Sequence, residues 1–268
     1  MIRTAVLVFW AAFSACMLGC LDSTGLSHED LERIGGGVSF GIIETYRFHE
    51  SGIGEPELAL FLETEESYGC VNYSLDLDLE IDEEDIHVAL FGVNEPEMCL
   101  TAIGPAFAYL PLPELEGDLT LQFSFAGEMD FFQASISQVS IRIDPLDGQF
   151  TRRQEELLWR YPPRSFALVC DAEGLGEAAC TELEASLLTE MDLSEISFSG
   201  EGKNPYPTDA EEAGRDWRAS YFQLVGEEDF SDVRQAFCSF VSSHHDLPAY
   251  LLSWRNERIR SWVPDHCP

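Results

Sequence analysis

Apolar and polar residues alternate with a period of two through most of residues 38–147, and that pattern predicts strands. Ser74-Leu75-Asp76-Leu77-Asp78-Leu79-Glu80-Ile81 alternates without a break, as does Leu119-Thr120-Leu121-Gln122-Phe123-Ser124-Phe125. Each stretch gives a strand one buried face and one wet face. Further strands are expected at Val38–Thr45, Leu58–Glu63, His87–Val93 and Phe132–Ile143. The last changes phase near Gln138, as a bulge or a change of sheet would produce. Turn-forming residues fall at 50–54, 82–85, 94–96, 111–117 and 126–127. Short strands between regular turns predict an antiparallel β-sandwich domain over residues 38–147.

After Asp147 the pattern changes. Residues 148–165 read as a linker, with a short helix at Gln154–Tyr161 stopped by Pro162-Pro163. Strands are then expected at Phe166–Cys170, Glu195–Ser199 and Trp217–Val225, and helices at Glu177–Met191 and Phe230–Val241. A terminal hairpin is expected from Pro248–Trp254 and Arg258–Trp262. The order β-α-β-β-α-β predicts a ferredoxin-like domain over residues 166–268 with one added strand. The expected fold class is therefore α+β in two domains.

The N-terminal stretch has a different character. Arg3 precedes an almost wholly apolar run, Thr4–Leu18, and Asp22-Ser23-Thr24 follows it closely. A run of about 15 residues is shorter than the roughly 20 a spanning helix needs, which fits a cleaved secretory signal. Its close, Met17-Leu18-Gly19-Cys20, resembles a bacterial lipoprotein signal. The resemblance implies a signal peptide at 1–19, a fatty-acylated Cys20 and a lipidated polar tether over 20–37, ending in Gly35-Gly36-Gly37. Leu21 after the cysteine, rather than Asp, implies the outer membrane or cell surface. Ala15-Cys16 is a competing cleavage context. Cysteine parity favours Cys20: of eight Cys, processing there leaves six to pair, whereas processing at Cys16 leaves an odd thiol. A second, looser resemblance covers Leu112–Asp118 and the strand after it, which is similar to a hairpin of bacterial immunoglobulin-like modules, with Leu119 at that motif's Tyr position.

Export makes disulfides the expected state of the six remaining cysteines. Cys70 and Cys99 pair within the first domain. Cys170 with Cys180 and Cys238 with Cys267 is the preferred pairing in the second, and Cys180 with Cys238 is its rival. A zinc site would call for closer cysteine spacing, such as Cys-x-x-Cys, which does not occur.

The formal net charge is −34 and Lys203 is the only lysine, which argues against nucleic acid as a partner. Such acidity suits a salt-loving source or an acidic envelope protein. Asp76, Asp78 and Glu80 fall on one strand face about 7 Å apart, a spacing that suits a solvated edge. Asp82, Glu83 and Asp85 in the following turn are the Ca²⁺ candidates. His244-His245-Asp246 reads as a helix end, and His266 as part of the tail. Tyr206 and Trp217 belong to the second sheet. Trp254 and Trp262, eight residues apart across the hairpin, are the candidates for a glycan- or protein-binding face.

No local motif for a nucleophile, a zinc hydrolase, a phosphate loop or a dinucleotide cofactor occurs. The sequence therefore points to a non-catalytic binding or structural module of the cell envelope, without a cofactor, whose partner is an envelope protein or a glycan. The alternatives are an envelope hydrolase using paired carboxylates and a Ca²⁺-dependent adhesion module.

Overall fold

Period-two alternation dictates extended backbone, and in the computed structural model it becomes ten strands hydrogen-bonded into one mixed sheet. The structure describes residues 34–49, 52–82, 85–171, 175–206, 217–244, 247–263 and 265–267. The strands are β1 (Val38–His49), β2 (Gly52–Tyr68), β3 (Ser74–Ile81), β4 (Asp85–Asn94), β5 (Gly104–Pro111), β6 (Gly117–Phe125), β7 (Glu128–Ile136), β8 (Ser140–Asp147), β9 (Thr151–Arg153) and β10 (Leu157–Trp159). Their order across the sheet is β10-β8-β7-β6-β4-β3-β5-β2-β1-β9. Neighbours are antiparallel except β1–β9, β3–β5 and β4–β6.

The sheet curls until its two ends meet. Phe40 on β1 lies 4.4 Å from Phe123 on β6 and 4.7 Å from Phe132 on β7, ring centre to ring centre. The connection between β9 and β10 closes the remaining gap. Gln154 N–H donates to Phe40 O on β1, and Ile143 N–H on β8 donates to Glu156 O. Inward side chains of nearly every strand form one core, including Val38, Leu60, Leu62, Ile86, Val88 and Leu121.

This curled sheet overturns the expected β-sandwich. Short alternating strands state which face is buried but not whether two inner faces meet as separate sheets or as one sheet closed on itself. Strand pairing decides that, and here β4 pairs in parallel with β6 rather than with a partner in a second layer. The phase change near Gln138 is a turn between β7 and β8, where Ser137 Oγ accepts from Val139 N–H and Ser140 N–H. Gln154–Tyr161 is not a helix, since β10 occupies its middle. The β6–β7 turn is made by Ala126 and Gly127, at φ 52° and 92°, the positive values a tight two-residue hairpin demands.

The second half contains β11 (Ser165–Asp171), α1 (Leu175–Glu190), β12 (Leu193–Ile196), β13 (Trp217–Leu224), α2 (Phe230–Ser243), β14 (Ala249–Ser253) and β15 (Arg258–Arg260). Its five strands form an antiparallel sheet in the order β12-β13-β11-β14-β15. β14 is buried throughout and β11 up to Cys170, so both faces are covered and their sequences run apolar without alternation. Leu183, Leu187, Val233 and Phe237 of the helices cover one face. Tyr206, with Tyr161, Phe198 and Trp217, covers the other. Asp229 caps α2 and exchanges hydrogen bonds with Asp232 in a capping box.

Of the described residues, 53% are in strands and 14% in two helices. The chain is mostly β, and the expected class of a β-sandwich followed by a ferredoxin-like α+β domain does not hold. The excess of strand over what the periodicity announced lies in the first sheet: β5 was not expected, β1 and β2 run past their expected bounds, and β9 and β10 add three residues each.

Candidate functional site

The curled sheet is parted along one line, between β3 and β5. These strands share a single paired position, Ser74 opposite Phe107, where Phe107 N–H donates to Tyr73 O at 3.3 Å. Below that point β3 continues on β4 alone and β5 on β2 alone. Beyond that position no residue of β3 is paired with one of β5 among the described residues. Each therefore presents a free edge to the other.

Burial follows the parting. Leu75 and Ala106, beside the paired position, are buried. Leu77, Leu79 and Ile81 on β3, and Ala108 and Leu110 on β5, point to the same core yet stay partly exposed. On β4, Ile86, Val88 and Leu90 are fully enclosed. The Leu112–Glu116 connection crosses the far end, held by Leu112 N–H to Leu58 O at 2.9 Å, and Leu115 packs on the core there. The result is a seam with an apolar floor and unpaired peptide groups on both walls. Asp76, Asp78 and Glu80 stand on the outer face of the β3 wall, and Phe107 and Tyr109 on that of the β5 wall. Asn94 donates to Asp76 at 3.4 Å, and the Tyr109 ring lies 4.7 Å from that of Phe61.

The alternation of β3 was visible in the sequence, but not the parting. Periodicity gives a strand its two faces and does not name its neighbours. The one signal was the acidic outer face, which suits an edge.

The residues singled out from sequence fall in several places. Cys70 is bridged to Cys99, Cys170 to Cys180, and Cys238 to Cys267. Asp82 and Asp85 flank the β3–β4 turn, while Glu83 lies outside the described residues, as do Cys20, the whole signal, His245 and Asp246. Among the described residues no group of three or more His, Cys, Asp or Glu is placed to hold a metal ion, and no helix is long and apolar enough to cross a membrane. His244 caps α2, stacked on Phe240 at 4.1 Å. His266 accepts Arg260 N–H on Nδ1.

Trp254 and Trp262 do not face each other. Leu252 pairs with Arg258 and the hairpin turns at Asn256, so the two indoles lie at opposite ends of it. Trp262 joins Trp217 and Tyr250 in an aromatic cluster. Trp254 lines an open cleft of about 390 Å³ with Arg164, Phe230, Arg255 and Glu257, its ring 5.0 Å under the Arg255 guanidinium. Arg164 is engaged there by Gly226 O and Glu228 O, and Arg255 by Glu55.

Carboxylate chemistry of the hydrolase kind needs an acid held protonated. Among the described residues Asp130 and Asp229 are the carboxyls that shift clearly, and both shift downward. Hydrogen bonds from Ser231 do this at Asp229, the cap of α2. At Asp130 burial pushes up, but the Thr151 hydroxyl and the N–H groups of Gln149, Thr151 and Phe150 outweigh it.

No family model, no curated protein and no solved structure matches the chain.

Proposed function

We propose that this protein is an exported, lipid-anchored binding protein of a cell envelope, and that its seam between β3 and β5 receives an extended segment of a partner protein. The seam carries the reading. An extended peptide laid between two free edges forms main-chain hydrogen bonds on both sides, and its alternate side chains enter the floor. Leu77, Leu79, Ile81, Ala108 and Leu110 offer that floor apolar contact. Asp76, Asp78 and Glu80 line the outer rim, so the complementary segment alternates apolar residues with Lys or Arg. Strands of the same acidic character, a second copy of this chain included, are repelled. Export is supported by three disulfides among the described residues and by the apolar run Thr4–Leu18 ahead of Cys20.

Fluorescence anisotropy with a labelled peptide of alternating Val and Lys tests the seam. The expected result is saturable binding, absent for the alternating Val and Glu peptide and abolished by Ala108→Trp, which fills the gap. Equal binding of the two peptides, or an undiminished response in the variant, overturns the assignment. Intact-mass measurement of the protein isolated from membranes, before and after reduction, tests anchoring and bridging: a free Met1 or six free thiols would defeat that half of the reading.

A further inference from the structure

An apolar cluster stands out at one end of the curled sheet. The connection from β4 to β5 carries Met98, Leu100 and Ile103 with 76%, 54% and 79% of their surface exposed, and Val71 adjoins them. These side chains are held outward by a braced loop. The Cys70–Cys99 bridge pins its centre. Asn72 Nδ2–H donates to Met98 O at 2.7 Å, Leu100 N–H donates to Asn72 Oδ1 at 3.0 Å, and Val71 N–H donates to Leu100 O at 3.3 Å. A soluble surface rarely fixes three such large apolar side chains in water without an occupant.

The position of the cluster identifies the occupant. Ile34 begins the described chain, and Gly37 O accepts Glu65 N–H. Two residues further along β2, Ser67 and Tyr68 pair with Pro105 and Gly104, directly after Ile103. The chain from Cys20 therefore enters the fold beside the cluster. The fourteen residue-to-residue steps from Cys20 to Ile34 reach at most about 50 Å when fully extended, so acyl groups on Cys20 and the cluster can meet one bilayer. The second sheet is attached at the opposite end, where Tyr46 near the end of β1 and Glu55 near the start of β2 contact Trp254 and Arg255.

We propose that Met98, Leu100, Ile103 and Val71 dock on the phospholipid surface that holds the N-terminal acyl chains. This rests on the lipid-anchor reading above. Docking stands the curled sheet end-on at the bilayer, directs the second sheet away from it and leaves the seam open at the side. The exposed Glu65, Glu66, Glu95 and Glu97 rim the same end, so the surface is zwitterionic rather than anionic. The cluster supplies orientation, and the acyl chains supply retention.

The test uses the acylated protein purified from membranes, its acyl mass checked first, in phosphatidylcholine vesicles containing brominated lipid. Met98→Trp reports the cluster, and Val225→Trp, also exposed but in the second half, is the control. The expected result is several-fold stronger bromine quenching at position 98 than at 225. That difference should be lost when half the lipid is phosphatidylglycerol at low salt and regained at high salt. Equal quenching at both positions, with the acyl mass present, overturns the docking alone. A missing acyl mass overturns the anchor and the docking with it. Shielding of position 98 in native membranes but not in pure lipid identifies a protein occupant and likewise overturns the proposal.

Discussion

Glu44 on β1 and Arg160, just after β10, form an ion pair of 2.8 Å between Oε1 and Nε, with the two side chains only 4% and 18% exposed. The second carboxylate oxygen accepts Tyr161 N–H at 2.7 Å, and Arg160 Nη1 donates to Ser137 O at 2.9 Å. One enclosed pair thus ties β1, the β7–β8 turn and the chain leaving for the second sheet. Removing one partner strands the other charge. Arg160→Met should cost about 3–5 kcal/mol in urea unfolding, and Glu44→Met/Arg160→Met should recover most of it. A single variant within about 0.5 kcal/mol of the parent would show that water reaches the joint.

Stability is expected to fall on both sides of a wide pH plateau. The Asp130 carboxyl, held below its ordinary 3.8, stabilises the fold above the unfolded value, and this contribution disappears as pH drops through the folded one. Burial pushes the phenols of Tyr46, Tyr161 and Tyr206 up, so the fold favours their neutral forms. Their contribution is complete below about pH 10 and declines above it, when the unfolded chain ionises first. Asp130→Asn, which leaves N–H groups of residues 149–151 poorly matched, should lose about 2–3 kcal/mol at neutral pH and flatten the acid limb. Tyr206→Phe should make the alkaline decline shallower. Unfolding free energies measured across the range check both, and an unchanged acid limb in the Asn variant would remove Asp130 from the account.

The limits of reading this chain lie in its neighbours rather than its elements. Leu75, Leu77 and Leu79 announce a strand, and Phe237 and Val241 a helix face, because each pattern is local. The closing of the large sheet depends on Phe40 meeting Phe123, 83 positions away, which no window of sequence contains. β9 and β10 were missed because three-residue strands are too short to show a period. The seam was hidden for the same reason as the curl. The exposed cluster did leave a mark, since Met98, Leu100 and Ile103 are apolar residues between turn signals, where polar ones are the rule.

The three bridges should yield to a reductant in an order set by access. Cys170 and Cys180 are 1% and 0% exposed, whereas Cys99 is open to solvent and Cys238 and Cys267 are half-buried. Thiolate attack needs a path to sulfur. Mild reduction of the native protein followed by alkylation and mass spectrometry should label Cys70 and Cys99 first, then Cys238 and Cys267, and Cys170 and Cys180 only on unfolding. Replacing Cys70 and Cys99 by Ala should cost about 3–4 kcal/mol from the freed loop alone. Early labelling of Cys170 would mean that α1 opens away from β11 in the native state.

An open seam has consequences that a closed sheet would not share. On the floor, Leu79→Ala removes side-chain surface that water already reaches, and should cost about 1 kcal/mol. Leu90→Ala on the neighbouring β4 empties an enclosed site and should cost about 2–5 kcal/mol. On the walls, alternate amides of Leu77–Ile81 and of Ala108–Leu110 face the gap without a strand partner, so they should exchange with deuterium faster than the amides of β4 and β6. Adding the alternating Val and Lys peptide should slow these amides selectively, because they become its hydrogen-bond partners. Protection of the β3 and β5 amides equal to that of β4 in the free protein would mean that the two strands zip together in solution, and no place would be left for a guest strand.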